Sequence, residues 1–433
     1  MIWFFYNILF SIVYVLMLPY FFLRMFKRGG YSKGFFQRLG FYGVPLYANL
    51  RSRRRVWIHA VSVGEMYIAL RFMDEVRNCR PETAFVLTTT TSTGHAIAEK
   101  RVVQSDVLLY FPADFPFIIK RFLDCLNPLA LILVESELWP NMIRLARKRN
   151  IPIMLLNGRI SNHSYRGYKK LRPLVKRILG CFDLLCVQSD EDSHRLIDLG
   201  ADPERVEIMG SGKYDVANTA SEQAAKSGEA LRNRIFSSNT RLLVGGSTWP
   251  GEEKILIEIY KSLRDRFQDL RLVLTPRHVE RAREVISEIK TSGLSFLRRS
   301  EIDEGRAQQS LFPDVLLVDT TGELNIFYSI ATVIFVGKSL TSKGGQNVIE
   351  PAVFAKPIVV GPHMENFASV TDDFFTANAL IQVQDKRGLK KAILELWNDD
   401  EARQGYGSRA RQVVLDKAGA IPASVKRYLS LMK

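Results

Sequence analysis

One acidic residue, Glu65, stands apart in the first part of the sequence. Nine Lys and Arg residues and no Asp or Glu precede it. It follows a strand-like apolar run over 56–63 and the single Gly64, so its carboxylate is predicted to lie at a strand-to-helix turn. A carboxylate in that position can take a proton from a hydroxyl group and act as a general base. The alternative is that Glu65 only caps its helix.

Two further groups of the first half carry charge where a strand or a turn ends. Glu135 and Glu137 directly follow the apolar run 130–134, and Lys213 follows a Gly-Ser-Gly turn. The acids are equally well explained as part of a helix start, where the helix dipole favours a glutamate. Lys213 can hold a phosphate or a carboxylate, or it can be a solvated surface lysine. The sequence leaves both interpretations open for each group.

Three loops of the second half also follow predicted strands: 275–278, 320–324 and 344–351. We expect these loops to converge, because the carboxyl ends of parallel strands meet at one edge of a doubly wound sheet. Asn347 is predicted to cap a helix with Glu350 at its third position, beside two glycines, and this pattern is typical of a phosphate cradle. Arg277 would add a fixed cation. The alternative is that each loop is ordinary turn chemistry.

Several familiar sites are missing from the sequence. It contains no GxGxxG dinucleotide fingerprint, no Walker A motif and no metal-ligand cluster, so we expect neither a bound cofactor nor a metal. Its four cysteines show no CxxC spacing. That pattern favours reduced thiols and a cytosolic compartment for the folded part.

The candidate site residues must be positioned by strands and helices. The sequence indicates these elements by short apolar runs that alternate with amphipathic stretches. A first series begins at residue 56 and continues through 84–88, 130–134, 152–156 and 184–187, and a second comprises 242–246, 270–274, 315–318, 332–336 and 357–360. Such runs are typical of buried parallel strands. Residues 217–232, rich in Ala, Ser, Glu, Gln and Lys, are predicted to be a linker. The sequence therefore predicts an α/β protein with two tandem Rossmann-like, doubly wound domains and a ligand cleft between them.

The first 23 residues contain no charge and are just long enough to span a bilayer as a helix. The net charge is +15, and nine Lys and Arg residues lie between positions 24 and 55. This concentration predicts an anchor with the rest of the chain on the cytoplasmic side, and it favours an anionic membrane surface over nucleic acid as the partner. Three alternatives are a cleaved signal peptide, which would need a basic n-region, a buried helix of a soluble protein, and a helix lying in the membrane interface.

Seven motifs occur in an order that resembles a known family. They are HAVSVGE (59–65), ESELWPN (135–141), NGRIS (157–161), GKYD (212–215), TPRH (275–278), TGEL (321–324) and GGQNVIEP (344–351). Together they resemble the motifs of the 3-deoxy-D-manno-octulosonic acid (Kdo) transferases of lipopolysaccharide biosynthesis, glycosyltransferase family 30, over about residues 31–433. The resemblance implies an inverting, metal-independent GT-B glycosyltransferase at the bacterial inner membrane. Its donor would be CMP-Kdo and its acceptor a lipid A precursor, lipid IVA.

The resemblance also implies roles for individual residues. Glu65 would be the general base, and Glu135 and Lys213 would assist the transition state. The CMP-binding residues would be Pro276, Arg277, Thr321, Gly322, Glu323, Asn347, Val348, Ile349 and Glu350. The segment 31–41 would be the membrane patch on the acceptor side. One departure from the family is Trp249, which stands where many members have a histidine.

The implied organisation has four parts. They are a membrane anchor over 1–30, an acceptor-binding domain over 31–216, a linker over 217–232 and a CMP-Kdo-binding domain over 233–433, whose C-terminal helical segment is free to pack back on the first domain. One alternative function is another GT-B enzyme that uses a UDP-sugar on a lipid acceptor, or a related epimerase. Another is a non-catalytic, membrane-tethered basic protein.

Overall fold

The computed structural model describes residues 2–28, 34–237, 239–303 and 313–432. The chain divides into two compact units, Met1–Val216 with Ala418–Lys433, and Ala217–Lys417. The predicted α/β class with two tandem doubly wound parallel sheets is confirmed. The boundary predicted between residues 30 and 31, and residues 31–33 of the predicted membrane patch, lie outside the described residues.

The first unit is built on a seven-stranded parallel sheet with the order β3-β2-β1-β4-β5-β6-β7. Its strands are β1 Val56–His59, β2 Phe85–Thr89, β3 Val107–Tyr110, β4 Leu131–Val134, β5 Ile153–Gly158, β6 Leu184–Val187 and β7 Val206–Ile208. The strand order reverses between β1 and β4, and loops that leave such a switch point commonly hold a ligand. β1 is shorter than the predicted run 56–63, because Ser62 caps the next helix and ends the extended segment.

Helices cover both faces of this sheet. They are α1 Ile2–Arg28, α2 Phe35–Arg38, α3 Val44–Ser52, α4 Val63–Cys79, α5 Ser92–Glu99, α6 Pro116–Leu126, α7 Pro140–Arg147, α8 Asn162–Lys170, α9 Arg172–Leu179 and α10 Asp190–Leu199, with a 3₁₀ turn at Pro203–Arg205. Neighbouring strand residues belong to different cores: Trp57 packs into one cluster, and Val56 and Ile58 pack into the other. Both faces of the sheet are therefore buried, as the continuous apolar runs predict.

The segment predicted as a linker is helical. Residues 217–232 lie inside α11 Gly212–Ile235, because Ala, Glu, Gln and Lys are strong helix formers. The C-terminal helix, α20, belongs to the first unit. It packs on α4, where the Tyr428 ring lies 5.6 Å from the Phe72 ring.

The second unit has a parallel sheet of the order β10-β11-β9-β8-β12-β13-β14. Its strands are β8 Arg241–Thr248, β9 Leu270–Pro276, β10 Phe296–Arg298, β11 Val315–Leu317, β12 Val333–Val336, β13 Ile358–Val360 and β14 Ile381–Gln382. Its helices are α12 Glu252–Leu263, α13 Ala282–Thr291, α14 Arg299–Asp303, α15 Leu324–Ile330, α16 Ile349–Ala352, α17 Ala368–Thr376, α18 Lys386–Asn398 and α19 Asp400–Lys417, followed in the first unit by α20 Ala420–Leu431. Two 3₁₀ turns lie at Val279–Arg281 and Glu365–Phe367.

The N-terminal helix α1 is long and apolar enough to cross a membrane, by length and composition alone. It contains one proline, Pro19. Core helices and signal sequences meet the same criterion, so this feature by itself only weakly supports an anchor.

Candidate functional site

Three glutamates that the sequence singled out in the first unit lie at the switch point of its sheet. Glu65 lies in the first turn of α4, after β1, and Glu135 and Glu137 follow β4. β1 and β4 are adjacent parallel strands, so their carboxyl ends lie side by side. We call Glu65, Glu135 and Glu137 the carboxylate cluster.

Glu65 is held at the start of its helix by a complete capping box. Its Oε2 accepts a hydrogen bond from the Val61 N–H (2.8 Å), and its Oε1 accepts one from the Ser62 N–H (3.3 Å). The Ser62 hydroxyl accepts in turn from the Glu65 N–H (3.2 Å). Glu65 is 7% exposed. Glu65 therefore does cap its helix. The capping bonds also hold its carboxylate at the switch point, so capping is compatible with a place in the site.

Glu135 occupies a strained backbone position. Its φ is +59°, in the left-handed region that few residues other than glycine adopt. Its carboxylate accepts a hydrogen bond from Asn157 Nδ2 (3.4 Å) and lies 3.9 Å from Lys213 Nζ. Burial raises the pKa of Glu135; the nearby Lys213 lowers it, and Glu65 raises it further. Strain of this kind is concentrated at functional sites in proteins.

Lys213 is positioned by tertiary contacts that its sequence neighbourhood does not reveal. It lies in the first turn of α11, where Asn157 Oδ1 accepts a hydrogen bond from the Gly212 N–H (2.9 Å). In the same turn, Asp215 Oδ1 accepts from the Gly419 N–H (2.8 Å), which ties α11 to the start of α20. Asn157 therefore contacts both Glu135 and the helix that carries Lys213, a role that no local pattern predicted.

Glu137 and His59 form a second arrangement to which the sequence assigned no role. His59 is fully buried, so burial lowers its pKa to about 3 and the imidazole is neutral. Its Nδ1 lies 3.1 Å from the Thr88 carbonyl oxygen, and its Nε2 lies 3.9 Å from Glu137 Oε2. Burial and the charge of Glu65 raise the pKa of Glu137 to about 7, although Trp139 Nε1 donates a hydrogen bond to it (2.8 Å). The sequence feature that could have indicated this arrangement is the HAVSVGE motif, which places a histidine at the end of β1.

The carboxylate cluster is thus rich in negative charge, with Lys213 as its contacting cation. Its carboxylates can accept a proton and can stabilise positive charge that develops on a substrate, and Lys213 is the group of the site that can hold an anion. Within the described residues, no group of three or more His, Cys, Asp or Glu side chains is placed to hold a metal ion.

The predicted donor residues of the second unit lie at the carboxyl edge of its sheet. Pro276 ends β9, and the exposed Arg277 follows it, with its N–H donating to the Thr248 carbonyl oxygen (3.0 Å). Burial raises the pKa of Glu350, and the hydrogen bond from Asn347 and the charge of Arg277 oppose that shift. The loops after β9 and β12 are therefore near one another, as parallel strands require.

The loop after β11 is held by its own ion pair. Arg299 donates to Glu323 Oε1 (2.8 Å), and the Thr320 hydroxyl donates to Glu323 Oε2. Gly322 has φ of +84°, which a side chain would strain, and Thr321 is exposed. Glu323 is therefore already paired, and Thr321 and Gly322 are the accessible part of this loop.

The loop after β12 differs from the prediction at its helix. The cap of α16 is Val348 and the helix has four residues, whereas the sequence predicts a helix capped by Asn347 itself. Asn347 Oδ1 accepts from the Ile349 N–H (3.1 Å), and its Nδ2 donates to Glu350 Oε1 (3.0 Å). The Asn347 side chain therefore accepts from the N–H two residues ahead, whereas in a standard capping box the side chain accepts from the N–H three residues ahead. Val348 and Ile349 are buried, so their side chains do not face solvent.

The two glycines before this loop have the predicted backbone freedom, with φ of +113° at Gly344 and +69° at Gly345. Their N–H groups are used within the chain. Gly344 donates to Glu365 Oε2 (2.7 Å), and Gly345 donates to the Lys338 carbonyl oxygen (3.0 Å). The phosphate cradle predicted here would therefore need these two donors to change partner.

Glu252 is a structural residue of the second unit to which the sequence assigned no role. This fully buried carboxylate accepts hydrogen bonds from the N–H groups of Trp249 (2.9 Å), Lys338 (2.8 Å), Ser339 (3.1 Å) and Leu340 (3.0 Å). It joins the loops that follow β8 and β12, the two strands at the switch point of this sheet. Trp249, the departure from the family pattern, lies under Lys338 Nζ, 4.7 Å from the ring centre.

Two buried polar atoms near the donor loops have no hydrogen-bond partner within the described residues. They are Thr275 Oγ1, next to Pro276, and Asn325 Oδ1, two residues after Glu323. Buried polar atoms are paired in most proteins, by protein, water or ligand. Pairing either atom would require a bound water or ligand, or a local rearrangement.

Comparisons with known proteins point to one family. A family model described as 3-Deoxy-D-manno-octulosonic-acid transferase (kdotransferase) matches residues 33–216. The 3-deoxy-D-manno-octulosonic acid transferase of Haemophilus influenzae is 31% identical over 433 residues, which cover 99% of this chain and 98% of the relative. That of Bordetella pertussis is 33% identical over 373 residues, 84% of each chain.

A solved structure supports the fold independently. The UDP-GlcNAc 2-epimerase of Neisseria meningitidis, bound to UDP-GlcNAc, matches with a TM-score of 0.60 over 87% of this chain and 100% of that chain. The identity is 12%, so the match shows the GT-B type of fold alone.

Proposed function

The chain belongs to the Kdo transferase family of glycosyltransferases, and from that premise we propose that it transfers Kdo from CMP-Kdo to the lipid A precursor lipid IVA and releases CMP. The reaction would take place at the cytoplasmic face of the bacterial inner membrane, during lipopolysaccharide biosynthesis. The observation that carries this proposal is the carboxylate cluster at the switch point of the first sheet, with Lys213 3.9 Å from Glu135.

Glu65 is the proposed general base. The acceptor hydroxyl oxygen forms a bond to the anomeric carbon of Kdo while the bond from that carbon to the CMP phosphate oxygen breaks. Attack from the face opposite the leaving group inverts the configuration, and the hydroxyl proton passes to the Glu65 carboxylate. The capping box supports this role, because it holds the carboxylate in one orientation before substrate arrives.

Glu135 and Lys213 are proposed to assist the transition state. The sugar ring gains positive charge as the bond to CMP breaks, and a partly buried carboxylate stabilises that charge. Lys213 is an ammonium group on a flexible stem, suited to hold the carboxylate of the sugar or the departing phosphate. Asn157 acts as a positioning residue, because it contacts Glu135 and the start of α11.

The second unit is proposed to bind the nucleotide. Arg277 would meet the phosphate or the sugar carboxylate, and Glu350 would accept hydrogen bonds from the ribose hydroxyls. Thr321, Gly322 and the backbone of 347–349 would complete the site. The unpaired atoms Thr275 Oγ1 and Asn325 Oδ1 support this assignment. We propose that no divalent metal is needed, because Arg277 and Lys213 can take the charge of the leaving group.

A direct assay tests the proposal. The full chain is incubated with CMP-Kdo and lipid IVA, with and without EDTA, and products are read by mass spectrometry. We expect the acceptor mass to rise by one or more Kdo residues, with equal yield in EDTA and inhibition by CMP but not by UDP. Turnover that EDTA abolishes and Mg²⁺ restores would refute metal independence. Inhibition by UDP alone would favour a different GT-B enzyme.

A further inference from the structure

The N-terminal helix α1 is attached to the first unit along one side. The Tyr6 hydroxyl donates a hydrogen bond to Asp114 Oδ2 (2.9 Å), and Asn7 Oδ1 accepts one from Asn141 Nδ2 (2.8 Å). At the start of the helix, the guanidinium of Arg144 lies 5.0 Å from the Trp3 ring centre. Trp3, Tyr6 and Asn7 lie within one turn of the helix and share one face.

The same face continues further along the helix. The rings of Phe10 and Tyr14 each lie 5.1 Å from the ring of Phe115. Residues 3–14 are therefore held against the globular unit, and we call these contacts the dock.

The dock is part of the folded unit rather than a loose contact. Asp114 is fully buried, and it also accepts hydrogen bonds from the N–H groups of Asn141 (2.9 Å) and Met142 (2.8 Å) at the start of α7. Asn141 is fully buried as well. Removal of α1 would leave this polar pair without two of its partners, Tyr6 and Asn7, and such losses are costly in a buried site.

The opposite face of α1 is apolar and uncovered. Its exposed residues, each between 43% and 72% accessible, are Phe4, Phe5, Ile8, Leu9, Ile12, Val13, Val15, Leu16 and Met17. Phe117 extends this surface beyond the helix: it is 70% exposed, and its ring stacks 5.7 Å from Phe115 in the dock. An exposed apolar surface of this extent marks a place where a partner or a membrane binds.

Charge identifies the partner. The first 64 residues contain nine Lys and Arg and no acid. Arg121 lies 4.8 Å from the ring centre of the half-exposed Phe41, so cations accompany exposed aromatic rings on the globular unit too. A second copy of this chain would bring positive charge against positive charge, whereas an anionic phospholipid surface offers both lipid chains and negative headgroups.

Length decides how the helix meets the membrane. A helix needs about 20 residues to cross the hydrocarbon core of a bilayer. The dock extends to Tyr14, and residues 15–28 would reach only about 21 Å at 1.5 Å per residue. That remainder also contains Arg24, Lys27 and Arg28. While the dock is intact, α1 is too short to span.

We propose that α1 lies along the surface of an anionic phospholipid membrane, with its dock on the first unit, its apolar face in the lipid, and its N-terminus on the same side as the globular units. Of the forms of the anchor that the sequence leaves open, this is the helix lying in the membrane interface. It rests on the proposed membrane location but not on the proposed donor, acceptor or base.

Side-specific labelling tests the proposal. The full chain with Ile2→Cys is expressed in bacteria, and intact spheroplasts and inverted inner-membrane vesicles are treated with a membrane-impermeant maleimide. Peptide mass spectrometry reads the label at position 2 and at Cys79, an exposed cysteine of the first unit that reports the side of the globular part. We expect both positions to react in inverted vesicles and neither in spheroplasts. Reaction of position 2 in spheroplasts, or only after detergent, would overturn the proposal.

Charge placed on the apolar face gives a second test. Leu9→Glu with Leu16→Glu should lower the ratio of membrane-bound to soluble protein about tenfold or more, because binding scales with buried apolar area. Val103→Glu, which also replaces an exposed aliphatic residue of the first unit, should leave that ratio unchanged. A wild-type protein found in the soluble fraction as a dimer would overturn the proposal. Since neither readout uses turnover, its failure is distinguishable from failure of the proposed function.

Discussion

At the switch point of the first unit, Glu135 contacts side chains from two other elements, whereas in the second unit the candidate residues occupy three loops that are each fastened to their own surroundings. Glu135 contacts both Asn157 and Lys213. In contrast, Glu323 is paired with Arg299, and Gly344 is bound to Glu365.

The charges of the two regions also differ. The first unit gathers three carboxylates and raises the pKa of two of them by burial. The second presents the exposed cation Arg277 and backbone turns, and its two candidate carboxylates, Glu323 and Glu350, accept hydrogen bonds from Arg299 and Asn347. Proton transfer needs a fixed acid or base, and anion binding needs cations and N–H donors. The difference supports a division of labour, with chemistry in the first unit and nucleotide binding in the second.

The largest effect is expected at Glu65, where a substitution tests whether the chemistry resides in the first unit. Glu65→Gln preserves size and still accepts hydrogen bonds, but it removes the proton acceptor, so we expect turnover to fall by about 10²–10⁴-fold with CMP affinity unchanged. If the carboxylate only capped α4, the loss would be about 1 kcal/mol of stability and turnover would stay near normal. Steady-state kinetics and thermal melting separate the two outcomes, with Glu99→Gln on the exposed end of α5 as the control. Turnover within threefold of wild type would remove Glu65 from the mechanism.

A smaller effect is expected from the cation of the second unit. Arg277→Ala should weaken CMP binding by about ten- to a hundredfold, since loss of one charge-assisted hydrogen bond costs roughly 1.5–3 kcal/mol. Glu350→Ala should act in the same direction through the ribose. Titration calorimetry with CMP measures both, and Arg283→Ala, an exposed arginine of α13, is the matched control. Wild-type affinity in both variants would contradict nucleotide binding by these loops.

The smallest effect is expected from Glu137, whose raised pKa should make the stability of the protein depend on pH. The pKa of Glu137 is raised to about 7 in the folded protein, above its unfolded value of about 4.3. The folded state therefore keeps a proton that the unfolded state loses, and stability falls as the pH rises from about 4.5 through 7. Glu137→Gln lacks this titration but can still accept from Trp139. We compare the unfolding free energy of the variant with that of wild type. The difference, variant minus wild type, should increase by on the order of 1–3 kcal/mol as the pH rises from 5 to 8. A constant difference in urea denaturation across that range would show that Glu137 is not perturbed.

The strands that the sequence missed share one position. The ten predicted runs are all strands, to within a few residues, whereas β3, β7, β10 and β14 were not predicted. These four are the edge strands of the two sheets. An edge strand has one neighbour, so it can be short and partly polar, as in Val206-Glu207-Ile208, and it lacks the apolar run of a central strand.

The sequence by itself determined the fold class, the family and the positions of Glu65, Glu135 and Arg277 at strand ends, because burial on both sheet faces and short strand-to-helix turns leave local patterns. Only the tertiary structure decided what those side chains contact. Asn157 and Lys213 are 56 residues apart in sequence yet share one site, as the hydrogen bond from Gly212 shows. The dock of α1 depends on Asp114, 108 residues from Tyr6. Contacts of this kind form when separate elements pack together, and no spacing within one segment records them.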